Sequence, residues 1–73
     1  MYILIADNKT VRQFERVANT DQGRKMVHIV GLEYPNGQRD SKYTILFSIP
    51  NAQKDRAGIL RGLTKSMPTA IIR

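Results

Sequence analysis

The side chains able to move a proton or hold a metal are few and dispersed: one histidine, His28, six carboxylates and no cysteine in 73 residues. General acid–base catalysis needs titratable groups that converge in an apolar cleft. Asp7, Glu15, Asp21, Glu33, Asp40 and Asp55 form no motif that would gather them. His28 stands between Val27 and Ile29 with no paired Cys, His or acid at ligand spacing, so neither a multi-histidine metal site nor a catalytic triad can be built on it. It reads as a strand histidine, packed or exposed at an edge. The five glycines match neither a phosphate-binding loop nor a dinucleotide fingerprint. The expectation is a protein that is not an enzyme, with no catalytic, cofactor or metal site.

The cations carry more information. Twelve Lys and Arg against six Asp and Glu leave a net charge of +6, which points to an anionic partner or an acidic protein surface. The excess is uneven: residues 1–37 hold five basic and four acidic residues, and residues 38–73 hold seven and two. Helical spacing groups Lys54, Arg61 and Lys65 into one basic stripe and Arg12 with Arg16 into another. Either could meet phosphates or an acidic protein groove, and either could equally be an ordinary solvated helix face. Arg39 and Lys42 add charge between the two.

Elements that would position these groups follow from patterning. Tyr2–Ala6 is an aromatic and aliphatic run closed by Asp7-Asn8, which suits a strand, expected at a sheet edge. Thr10-Val11-Arg12-Gln13 matches a capping box and marks a helix whose apolar face is Val11, Phe14, Val17 and Ala18. Asn19–Gly23 reads as a loop, its glycine suited to positive φ. Residues 26–34 form a strand that starts buried on both sides, Pro35-Asn36-Gly37 a hairpin turn, and Tyr43–Ile49 the returning strand with Tyr43, Ile45, Phe47 and Ile49 on its apolar face. Asn51 then caps a last helix with Ala52, Ile59, Leu60, Leu63 and Met67 on one side and the basic stripe on the other. Pro68 ends it, and residues 68–73 either fray or add Ile71-Ile72 to a sheet edge.

The fold class expected is therefore α+β: one small domain over residues 1–73, ordered strand, helix, β-hairpin, helix, with a short antiparallel sheet. A chain this size draws only roughly 3–5 kcal/mol from its core. Nothing approaches the roughly 20 apolar residues of a membrane span, and MYILIAD lacks the basic start and longer apolar run of a secretory leader. A cytoplasmic location is expected.

Two further features bear on partners. A terminal edge strand would offer the backbone of Tyr2, Ile3 and Ile5 to a partner sheet, or complete the domain's own. Tyr34 and Tyr43 could stack bases beside the basic residues, although their alternation with Ile45 and Phe47 fits core packing better.

In size and character, a small, cysteine-free, basic α+β unit opening MYILIADNKTVRQFERVA resembles the phage-encoded regulators that bind RNA polymerase, inhibit host initiation and promote antitermination. The resemblance implies binding to the large subunits of a bacterial RNA polymerase near the RNA exit channel. It also implies interference with promoter-specificity factors and readthrough of terminators, alongside an elongation factor. It carries over no individual site residue. The residues themselves leave a second reading, a small basic protein acting directly on DNA or RNA. The candidate partner-binding residues are Lys54, Arg61, Lys65, Arg12, Arg16, Tyr2, Ile3 and Ile5.

Overall fold

The computed structural model describes residues 1–33 and 42–73. Its elements run β1 (Tyr2–Ala6), α1 (Asn8–Ala18), α2 (Asp21–Met26), β2 (His28–Glu33), β3 (Tyr43–Ser48), α3 (Arg56–Ser66) and β4 (Ile71–Ile72). The expected α+β class holds: among the described residues, three helices accompany a four-stranded antiparallel sheet ordered β2-β3-β1-β4.

The hairpin partners β2 and β3 pair antiparallel as their alternation predicts. The Pro35-Asn36-Gly37 turn lies outside the described residues, as do Tyr34 and Arg39. The position of β1 is a correction. It is an inner strand, bonded to β3 through Tyr2↔Phe47 to Ala6↔Tyr43 and to β4 through Leu4↔Ile72 and Ile5↔Ile71. The ends are tied further by Ile3 N donating to Arg73 O at 2.9 Å and Arg73 N to Ile3 O at 2.8 Å. A run that is apolar on both faces is costly to leave at an edge, and the last residues return to cover it.

Period-two alternation sends Leu4, Ala6, Ile45 and Phe47 to the helix side, where all are buried. Val11, Phe14 and Ala18 meet them from α1, and Ile59, Leu60 and Leu63 of α3 pack half-buried against the same cluster. Phe47 is the hub: its ring stacks on Tyr2 at 5.5 Å and meets Phe14 at 5.3 Å. Tyr43 packs against the core, as its alternation predicts. Val17, expected in the core, is instead 57% exposed.

The helix starts differ from expectation because Asp7 and Asp55 take the caps expected of Thr10 and Asn51, and Thr20 caps a helix where none was expected. Asp7 caps α1, its Oδ1 accepting from Thr10 N at 2.8 Å, so Thr10 lies inside the helix. Asp55 caps α3, accepting from Gly58 N at 2.9 Å. The upstream segment turns instead, with Gln53 N donating to Pro50 O, which leaves Ala52 and Lys54 outside the helix. Asn51 caps nothing; its Oδ1 accepts from Arg56 Nη2.

Thr20 likewise nucleates α2 where a loop was expected, its Oγ1 accepting from Gly23 N at 3.0 Å. Gly23 serves close approach rather than positive φ: a Cβ there would collide with the backbone of Val17 and Ala18. The following strand consequently starts later than expected, at His28, because Met26 belongs to α2. It does not begin buried on both sides, for His28 is exposed. A register shift between Ile29 and Gly31 marks a bulge in β2 and leaves Val30 pointing to solvent.

Candidate interaction surface

The helices pack against one face of the sheet, and the opposite face is formed by the alternate residues. Register aligns Ile71, Ile5, Thr44 and Glu33 across the four strands in one row. Ile3, Leu46 and Gly31 form the next row, and Ser48 and His28 the one beyond. No described helix covers this face. Ile3 is 37% exposed and Ile71 51%, with Ile5 and Leu46 half-buried between them and Val30 of the bulge 56% exposed at the rim. A one-sided sheet normally turns polar residues outward; this one turns out the aliphatic Ile3, Ile5, Leu46 and Ile71 among Thr44, Ser48, Arg73, Glu33 and His28.

Strand addition has little to use here. One outer strand is two residues long and the other carries a bulge, both devices that blunt a sheet edge. The edge role expected for Tyr2, Ile3 and Ile5 is therefore corrected: β1 is hydrogen-bonded on both sides, and Tyr2 is half-buried against Phe47. Ile3 and Ile5 still reach the surface, but through their side chains on the open face.

The structure keeps Arg12 and Arg16 one turn apart on exposed α1, where Arg12 Nε donates to Asn8 Oδ1 at 2.9 Å. Arg61 and Lys65 are likewise one turn apart and exposed on α3. Lys54 is exposed too, but it precedes the helix and does not continue their row. The predicted three-residue stripe is thus a helical pair with a separate neighbour.

His28 is exposed on the edge strand β2, opposite Ser48. Among the described residues, no three His, Cys, Asp or Glu side chains cluster to hold a metal. Two carboxylates are occupied as caps. Hydrogen bonds from the Thr10 side chain and backbone hold the Asp7 carboxyl below its ordinary range, outweighing slight desolvation, and Lys42 and Lys9 add to the lowering. No helix among the described residues is long and apolar enough to cross a membrane.

Leu46, Val30 and Ile71 did not stand out as candidates from the sequence. A signal was there, since Tyr2–Ala6 and Tyr43–Ile49 are apolar at positions of both parities while the chain has helices enough to cover only one face. Compared with family models, curated proteins and solved structures, the chain matches none.

Proposed function

We propose that the chain is a non-enzymatic regulator of transcription that binds the large subunits of a bacterial RNA polymerase in the bacterial cytoplasm. There it inhibits host initiation and promotes terminator readthrough alongside an elongation factor, as a phage protein serving host takeover would. The observation that carries a protein-binding role is the uncovered aliphatic face of Ile3, Ile5, Leu46 and Ile71 on a chain of net charge +6. Apolar side chains at that density favour a protein surface, because phosphate contacts need only cations. Exposed Arg12, Arg16, Arg61 and Lys65 supply steering toward an acidic surface. The polymerase itself is named by the resemblance of the whole chain to phage regulators of this size.

Size argues for a large partner over a second copy. Four strands at about 4.8 Å spacing and five residues at about 3.3 Å make a face of roughly 320 Å² at most, against about 800 Å² per partner in a stable interface. Two chains of the same strong positive charge would also repel. A large acidic partner can extend the contact beyond the sheet face and gain from the charge.

The test is gel filtration of the full chain with purified bacterial RNA polymerase after nuclease treatment, followed by transcription of a promoter–terminator template. Co-elution with fewer initiations and more readthrough is expected. Direct binding to free oligonucleotide with a steep salt dependence, and polymerase association lost on nuclease treatment, would replace this reading with the nucleic-acid one.

A further inference from the structure

On the helix side, α1 and α2 pack together through Gly23, but α3 does not close on them. They leave an open groove of about 440 Å³, floored by core residues such as Phe14 and Leu63. Val17 and Met26 line it while remaining 57% and 47% exposed. Along α3 the groove is lined by Gly58 and Gly62, and a Cβ at Gly62 would meet nothing within 4 Å.

Of the three polar side chains that line the groove, Gln53, Asp55 and Ser66, the first two are already engaged. Gln53 Nε2 donates to Lys25 O at 2.7 Å, and Asp55 Oδ1 accepts from Gly58 N as the cap of α3. Little remains inside to orient a small molecule by hydrogen bonds, which ligand clefts of this size normally require. Recognition would rest on apolar anchors within and charge at the margins. Exposed cations flank the lining residues along the chain: Arg24 and Lys25 precede Met26 on α2, Arg16 precedes Val17 on α1, and helical spacing sets Lys65 beside the Gly62–Ser66 row of α3. All four are exposed, and no ion pair holds them among the described residues.

We propose that this groove seats an acidic amphipathic helix from a partner protein, with apolar anchors one turn apart entering beside Gly58 and Gly62 and Asp or Glu on its flanks facing the cations of α1, α2 and α3. The eleven residues of α3 span about 16 Å, room for two to three turns of such a helix. Charge selects the occupant: a second copy of a +6 chain would be repelled where an acidic segment is attracted. The apolar contacts of this proposal are separate from those of the polymerase reading, because the groove and the open sheet face lie on opposite sides of the sheet, while the cations Arg16 and Lys65 are shared by the two.

The experiment titrates the isotope-labelled full chain with two synthetic helical peptides, followed by amide resonances. Both carry Leu at helical spacing on one face; one carries Glu elsewhere and the other Lys. The Glu peptide is expected to shift Val17, Met26, Gly58 and Leu63 saturably, and the Lys peptide to do so far less. Gly62→Leu, which grows into the open groove, and Val17→Glu, at an exposed position, should each weaken the Glu peptide by about tenfold or more. Gly62→Ala should bind almost as the parent does. Shifts confined to Ile3, Leu46 and Ile71, equal binding of the Lys peptide, undiminished binding by both groove variants, or no saturable shift would each overturn the proposal.

Discussion

The ring of Phe14 meets the ring of Phe47 with centroids 5.3 Å apart and planes tilted by 54°, and this contact joins α1 to the sheet. Phe47 also stacks on Tyr2 at 5.5 Å, so one side chain links β1, β3 and α1. Truncating a buried phenylalanine to alanine costs about 3–5 kcal/mol, as much as a core this small supplies. Phe47→Ala is expected to abolish the cooperative thermal transition, while Phe14→Leu lowers its midpoint and preserves it. Circular dichroism melts check both, and an unchanged midpoint in Phe47→Ala would refute its place at the hub.

Three glycines should respond differently to alanine, because their surroundings differ. At Gly62 the added methyl has free space and replaces a poor helix former, so Gly62→Ala should stabilise by up to about 1 kcal/mol. At Gly23 the methyl would drive into the Val17 carbonyl, backbone that cannot step aside, so Gly23→Ala should separate α2 from α1 and destabilise. At Gly58 it would displace the Asp55 carboxylate from its cap, trading one cap for helix propensity with little net change. Urea unfolding of the three variants measures the order.

These responses also show which parts of the fold were legible in the sequence. Strand alternation was, because Ile45, Phe47 and Ile49 announce a buried face whatever covers it. Caps were less so: Asp7 and Thr10 both have capping side chains before α1, as Asn51 and Asp55 do before α3, and for α3 the path of the chain through Pro50–Gln53 decides which is used. Gly23 was misread because a glycine required for close approach looks, in sequence, like one required for positive φ. The inner position of β1 depends on Ile71 and Ile72 returning from the far end of the chain, a non-local pairing that local pattern cannot rank. The open sheet face was missed for the same reason, since Ile3 and Leu46 become neighbours only through register.

Acid should act on Asp7 in a defined direction. Its hydrogen bonds from Thr10 favour the carboxylate and lower its folded pKa, so the stability this adds is present above the ordinary value of 3.8 and is lost as pH falls through the folded value. Asn caps a helix about as well as Asp and does not titrate. Asp7→Asn should therefore melt near the parent at neutral pH and show a shallower decline below about pH 4. Identical midpoint curves for parent and variant down to about pH 2 would mean that the cap does not contribute to acid sensitivity.

The partner surface can be separated from net charge by matched variants. Ile3→Thr with Leu46→Thr places β-branched strand formers at both positions while removing apolar contact from the open face, and neither side chain belongs to the buried core. Arg61→Glu with Lys65→Glu, and Arg12→Glu with Arg16→Glu, each change the charge by the same amount on different helices. Exposed charges alter folding by about 0.5 kcal/mol or less, so both glutamate doubles should retain a cooperative melt, and a thermal melt of the threonine double checks that it stays folded before its binding is compared. Loss of apolar contact acts on dissociation and survives high salt, whereas reversed charge slows association and its effect fades as salt screens it. Polymerase binding followed by surface plasmon resonance at two ionic strengths should give a faster off-rate for the threonine double at both, and a slower on-rate for the glutamate doubles mainly at low salt. Equal losses in the two glutamate variants would assign the cations to long-range steering, and a selective loss in the Arg61/Lys65 variant would place α3 at the interface. A threonine double that binds as tightly as the parent would remove the sheet face from the contact.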